Sequence, residues 1–549
     1  MMLRSARRKA FLAFVLAVGT LLWTGETFAA VRVPKLFGDG MVLQCDMAVP
    51  VWGWAKASEK VTVSFASQEK SATADKNGKW IVRLDAMPAS QSPREMTVAG
   101  ENTLTFKDVL VGEVWLCGGQ SNMDMPVAGC CLNFEAEKAA ATHPSIRQIE
   151  VGRVNAVTPM DDLDASSDKW TACSPATVGH FTSTGYFFAR DIAEALDVPV
   201  GLINDCWGGT CIERWMPPEG FRMEASVPQI KTIGRPGAGD FNAMARLVDS
   251  WDPTTDIGRE TYGQYLVKLK KWIPTAEAAL AAKRAPPPAP EPPEIGPPAG
   301  YPTCLFNGMI APVIPYAIRG VIWYQGEANG DEGLSYFYKT KGLIGSWRQL
   351  WGEGDFPFYY VQLANCQRSP GFQAPGGDGW APLREAQLQS LAIPNTGMAV
   401  TIDIGETENI HPKDKQDVGK RLALWALAKT YGKDLVFSGP LYKSHTVEGD
   451  KVRITFDYAG GGLIAGQKNG LEPVKEVPGG KLKWFAIAGQ DQVWHWADAV
   501  IDGETVLVSS DKVPSPVAIR YAFAMNPEGA NLYNKEGLPA SPFRTDDWK

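Results

Sequence analysis

The feature that most constrains this chain is a rhythm of strand-length apolar runs and helix-patterned segments between about residues 109 and 434. Val111-Gly-Glu-Val-Trp-Leu-Cys leads into a glycine-rich loop. Residues 182–196 then place Tyr186, Phe187, Ala189, Ile192 and Leu196 on one broad face, as a helix does. Val198-Pro-Val-Gly-Leu-Ile-Asn is the next strand, and further strands are read at 317–324, 358–363 and 398–404, each followed by helical patterning. Nearly continuous apolar strands alternating with helices predict a parallel sheet covered by helices on both faces. In such a sheet, reactive groups sit on the loops beyond the carboxyl ends of the strands.

The flanks read differently. Residues 30–108 carry short, nearly alternating runs (Val49-Pro-Val-Trp-Gly-Trp, Val61-Thr-Val-Ser-Phe, Trp80-Ile-Val-Arg-Leu), with Asp75-Lys-Asn-Gly-Lys as a hairpin turn. They predict a small β-sandwich. Residues 435–549 return to β runs and predict a second β region, terminal or folded against the first. Residues 217–300 interrupt the α/β pattern with a helix at 262–284 and a proline-rich spacer over 285–302, read as a surface insertion. At the start, Arg4, Arg7, Arg8 and Lys9 precede an apolar run at 10–22, and Thr27-Phe-Ala ends in small-residue cleavage style. That is the pattern of a secretory signal peptide over 1–29, and it predicts an exported protein, periplasmic or extracellular, with no membrane anchor once cleaved.

Composition narrows the chemistry. A formal net charge of −7 with no basic block argues against nucleic acid or an anionic membrane surface as partner. Nine cysteines in an exported chain allow some disulfides, with at least one thiol left over. They form no CxxC pairs, and the five histidines (143, 180, 411, 445, 495) form no HxH or HExxH spacing, so neither a metal nor any other cofactor is expected.

Four strand ends carry the candidate chemistry. Ser121 lies in Gly118-Gly-Gln-Ser-Asn-Met after a strand; this is not the GxSxG elbow, and a helix-capping serine would look the same. His411 lies in Ile402-Asp-Ile-Gly-Glu-Thr-Glu-Asn-Ile-His-Pro, between a strand and a helix at 415–431. Asp403, Glu406, Glu408 and Asp414 are close enough in sequence to orient it. Asp205-Cys-Trp-Gly-Gly-Thr and Tyr324-Gln-Gly-Glu-Ala-Asn supply oxyanion-donor candidates in Gly208, Gly209 and Asn329. Gln120, Gln325 and Glu327, on the same loops, are candidate substrate contacts.

Serine, glycine, asparagine and histidine in that order resemble the SGNH (GDSL-like) hydrolase superfamily. Longer words resemble its sialate O-acetylesterase family: Leu36-Phe-Gly-Asp-Gly-Met-Val-Leu-Gln, Val111-Gly-Glu-Val-Trp-Leu-Cys-Gly-Gly-Gln-Ser-Asn-Met, Cys206-Trp-Gly-Gly-Thr, Asn307-Gly-Met-Ile-Ala-Pro, Gly320-Val-Ile-Trp-Tyr-Gln-Gly-Glu-Ala-Asn and Ile410-His-Pro-Lys-Asp-Lys-Gln. The resemblance implies an α/β/α sandwich of SGNH type flanked by β regions, and a carbohydrate acetylesterase acting on O-acetylated sugars. Ser121 would be the nucleophile and His411 the base, with an oxyanion hole from the Ser121 backbone, a glycine of Gly208-Gly209 and Asn329. The family commonly reads Asn-Asp-Ile-His where this chain has Glu408-Asn409-Ile410-His411. Because the superfamily at large places an acid three residues before the histidine, Glu408 is the expected third member. Orientation of the ring by a backbone carbonyl is the alternative.

Three other readings stay open on sequence alone. An acetylxylan or other polysaccharide acetylesterase fits the same residues. An inactive sugar-binding protein could stack sugars on some of the 19 tryptophans. A two-carboxylate glycosidase would recruit Glu327 and an acid near Glu406.

Overall fold

The structure is a computed structural model that describes residues 30–227, 241–292, 301–366 and 375–548. The leader at 1–29 and residues 293–300 of the proline-rich spacer lie outside the described residues.

The central sheet has strands β1 (Thr103–Gly119), β2 (Ile146–Glu150), β3 (Thr171–Ala172), β4 (Val200–Cys206), β5 (Gly320–Tyr324), β6 (Phe358–Val361) and β7 (Thr396–Ala399). Their order is β7-β6-β5-β1-β4-β2-β3; all neighbours pair in parallel except the short edge strand β3. From Val109 to Gly119 every residue of β1 is buried, as a strand covered on both faces requires. Helices α1 (Ser121–Asp124), α2 (Ser183–Leu196), α3 (Leu334–Trp351), α4 (Ala381–Gln389) and α5 (Lys415–Trp425) alternate with these strands. On one face Trp115 meets Phe188 of α2 edge-on at 5.0 Å and stacks on Tyr359. On the other, Trp323 meets Trp347 of α3 edge-on at 5.8 Å. The expected three-layer α/β/α arrangement is therefore present. Trp115, Trp215, Trp323 and Trp347 are fully buried, so these tryptophans serve the core rather than a sugar.

The strand order reverses at β1, whose neighbours β4 and β5 both follow it in the chain. Their registers align Cys206 and Tyr324 with Gly119, so the loops after β1, β4 and β5 open side by side at this switch point.

The N-terminal region holds a two-stranded sheet (Val49–Trp54 with Lys79–Leu84) and a second set in which Lys60–Phe65 pairs with Gln68–Thr73 and Ser90–Ala99. The Asp75 turn forms, with Asp75 Oδ1 accepting from Asn77 N and Lys79 N, but it joins strands of two different sheets rather than closing a hairpin. The Gln68–Thr73 strand, largely polar, was not read from the sequence. Ser90–Ala99 pairs with the first part of β1, so one seventeen-residue strand serves both sheets, with an irregularity at Asp108, whose φ is +58° and where the pairing register shifts.

The insertion contains helices Phe241–Trp251 and Asp256–Ala281, the second starting earlier than the expected 262 because Thr255 caps it through Gly258 N. The C-terminal region forms antiparallel sheets that buttress the central sheet. Gln362 donates to Ser541 Oγ at 2.9 Å, and Arg384, fully buried, donates to the carbonyls of Ala524 and Met525. All nine cysteines are free, so the disulfides that the sequence allows are not formed; eight are buried and Cys130 is half-buried. Cys45, Asp46 and Glu113 bring donor atoms together, but Arg319 already engages both oxygens of Glu113, at 2.7 and 3.1 Å.

Candidate active site

Ser121 opens α1 at the end of β1. The turn before it requires Gly119, which sits at φ +134°, where a Cβ would come within 2.2 Å of the Tyr324 carbonyl. Gln120 N donates to that carbonyl, and the carbonyl of Gln120 accepts from Met123 N and Asp124 N. The serine is half-buried, and its own N–H, at the first helical position, donates to no described acceptor.

His411 arrives from the opposite side, on the loop between β7 and α5. Its Nε2 lies 2.9 Å from Ser121 Oγ across 290 residues of sequence. The loop is tied down in several places. Asp403, buried, takes a bidentate pair from Arg421 at 2.6 and 2.8 Å and a bond from Tyr533 of the C-terminal region. Glu406 accepts from Lys413 N and Asn409 Nδ2, and Asn409 in turn accepts from His411 N at 3.0 Å and donates to His411 O.

Glu408 does not join this arrangement. Glu406 and Asn409 pair across the turn, which throws Glu408 to its outer corner, where it is exposed and makes no hydrogen bond among the described residues. The expected third member of a triad is therefore corrected: three residues before the histidine is the solvent side of this turn. Glu408→Gln should leave kcat within about twofold of the parent, against a loss of up to roughly 10⁴-fold for a true triad acid. Steady-state kinetics on a chromogenic acetate ester decide it.

The oxyanion donors also need revision. Asn329 is 3% exposed, and its amide is fully engaged. Its Nδ2 donates to Glu213 and Glu332, and its Oδ1 accepts from Ile212 N and Gln325 Nε2. Those two carboxylates also hold Lys339, a fully buried ammonium; burial works against its charge, and the carboxylates more than offset that. Asn329 thus braces the loop after β5 from behind. Gln325 is equally sealed, donating towards Asn329, Thr210 O and Gln120 while Tyr336 donates to its Oε1, so it is not a substrate contact. Glu327 is half-buried and accepts from Asn122 Nδ2, which makes it a loop support.

Gln120 gains from the same network. Its Oε1 accepts from Gln325 Nε2 at 3.2 Å and Ala328 N at 3.3 Å, which fixes which end of the amide faces backwards. The NH₂ is left without a partner among the described residues, one residue from the nucleophile. On the β4 side, Gly208 packs against Ser121, a Cβ there lying 3.3 Å from the serine's own. The Gly208 amide lies beside the Asp124 carboxylate. Burial raises the Asp124 pKa, while Arg153, bonded to it at 2.6 Å, and that amide temper the rise. Gly209, exposed at φ +72°, keeps an N–H without a described acceptor. Sequence reasoning singled out Ser121 and His411, which the structure brings together, and Gly208, which it sets against Ser121. It missed Asn122, Asp124 and Lys415, whose signal was only their place beside the two motifs.

A family model described as carbohydrate esterase, sialic acid-specific acetylesterase, matches residues 111–244 and 305–428, which include Ser121 and His411. Sialate O-acetylesterase from Mus musculus is 28% identical over 93% of this chain and 94% of its own length. The Homo sapiens enzyme is 26% identical over 96% and 95%. Among solved structures, a carbohydrate acetylesterase from Xanthomonas citri is 36% identical, with a TM-score of 0.76, covering 94% of this chain and all of that one.

Proposed function

With the chain a member of the sialic acid-specific acetylesterase family of carbohydrate esterases, and so a carboxylic ester hydrolase, we propose that it removes O-acetyl groups from sugars through an acyl-enzyme on Ser121. The observation that carries this mechanism is the 2.9 Å contact between His411 Nε2 and Ser121 Oγ. At that distance the imidazole takes the hydroxyl proton as the oxygen attacks the acetyl carbonyl. The carbonyl oxygen gains negative charge, which the N–H groups of Ser121 and Gly209 and the Gln120 amide receive. The imidazolium then gives its proton to the sugar oxygen as the ester C–O bond breaks. Deacetylated sugar leaves and the acetyl group stays on Ser121. His411 next takes a proton from water, which attacks the acyl carbon; the second tetrahedral intermediate collapses, Ser121 Oγ regains the proton and acetate departs. Orientation of His411 rests on its loop rather than on Glu408.

The names of the mammalian relatives support an O-acetylated sialic acid as the sugar, and the bacterial relative supports the broader class of acetylated carbohydrates. The leader pattern at 1–29 supports action outside the cytoplasm. Acetate release from a panel of O-acetylated sialic acids, acetylated xylan and acetylated monosaccharides tests the substrate. The expected result is the highest kcat/KM on the sialic acids. Preference for xylan would move the protein to polysaccharide deacetylation, and release of reducing sugar without acetate would overturn the esterase mechanism.

A further inference from the structure

A lysine stands behind the Ser121–His411 pair, sealed from solvent. Lys415 opens α5, is 0% exposed, and donates from Nζ to Asn122 Oδ1 at 2.6 Å and to the carbonyl of Pro412 at 2.8 Å. A third side of the ammonium faces the Tyr324 ring, 5.6 Å from its centroid. Because Asn122 Oδ1 accepts from the lysine, its Nδ2 is the donating end. That end reaches Glu327 Oε1 and the carbonyl of Ile410, the latter at 3.0 Å. The carbonyls on either side of His411 are thus held by two side chains, one of them next in sequence to Ser121. Few solutions keep a charge out of water. This one pairs it with Glu327 through a shared amide and satisfies backbone acceptors at the same time.

We propose that Lys415 and Asn122 are positioning residues that clamp the His411 loop onto the Ser121 turn and set the serine–histidine distance. The inference rests on the serine mechanism above. It supplies a constraint on His411 that does not involve Glu408: the carbonyls before and after the histidine are each held by a side chain, which fixes where the ring is attached. Burial pulls the Lys415 pKa down to about 8, opposed by Glu327 on the β5 loop, Cys130 near α1, Glu406 on the histidine loop and Asp414 before α5. Removing this cation should ease formation of the imidazolium and move the acid limb of the pH profile upwards.

Lys415→Met should lower kcat by about 10²-fold with little change in KM, the scale set by small misplacement of reacting groups. The acid limb of its kcat/KM profile should shift to higher pH, which a loss of packing alone would not produce. A second variant guards against simple misfolding. In Asn122→Asp with Glu327→Gln, the glutamine donates to the aspartate and the aspartate still faces Lys415, so charge and most bonds are restored. The tie to the Ile410 carbonyl is not. This double variant should melt within a few degrees of the parent yet turn over at least about tenfold more slowly. Parent-like kcat in the double variant, or an unmoved acid limb in Lys415→Met, overturns the clamp. If the parent itself releases no acetate, the serine mechanism fails first and the clamp with it.

Discussion

Ser121→Ala is expected to fold as the parent does and to lose at least about three orders of magnitude in kcat, as removal of a covalent nucleophile does. The expectation rests on the geometry around the side chain. Oγ is held at 2.9 Å from His411 Nε2, at a turn whose backbone is fixed by Gly119 and by the bond from Gln120 N to Tyr324 O. Fold should be unaffected because the serine is half-buried and its hydroxyl caps nothing. A fluorophosphonate probe gives an independent reading: it should label the parent on Ser121 and leave the variant untouched. Substantial residual turnover in a well-folded variant would mean that another group attacks the ester.

His411→Asn carries the second large effect. General-base catalysis contributes about 10² to 10⁴-fold, and the loss should fall in that range, with probe labelling of Ser121 slowed in parallel. Residual activity should rise with pH, since hydroxide replaces the missing base. The parent should instead lose kcat/KM as the medium is acidified and the imidazole becomes protonated, because only the neutral ring accepts the serine proton. A variant that labels and turns over as fast as the parent would show that His411 is a bystander to Ser121.

What the sequence made legible follows from which signals are local. Parallel strands with both faces covered are nearly continuous apolar runs, so β1, β4 and β5 stood out, and with them the loops that end at Ser121, Gly209 and Gln325. His411 was found because a strand, a loop and a helix bracket it. What stayed hidden depended on partners distant in the chain. Nothing near Asn329 announces that Glu213, more than a hundred residues earlier, consumes its amide. Glu408 has the right spacing for a triad, but the bridge between Glu406 and Asn409 decides which way that corner of the turn points. Lys415 reads as an ordinary charged residue at a helix start, and only the fold shows that it is enclosed. The Gln68–Thr73 strand was missed because its residues are largely polar and its pairing surface is exposed.

The seventeen-residue strand that ends at the nucleophile has a bearing on how this protein can be taken apart. Its two ends belong to different sheets. The leading β region is thus spliced into the hydrolase by its own backbone, not hung from it on a tether. A cut before residue 109 would sever a shared structural member and strip its remaining half of the partner Ser90–Ala99. Shuffling of the leading region as a spare module is closed to such an architecture, whose unit of inheritance and of cooperative melting includes both sheets.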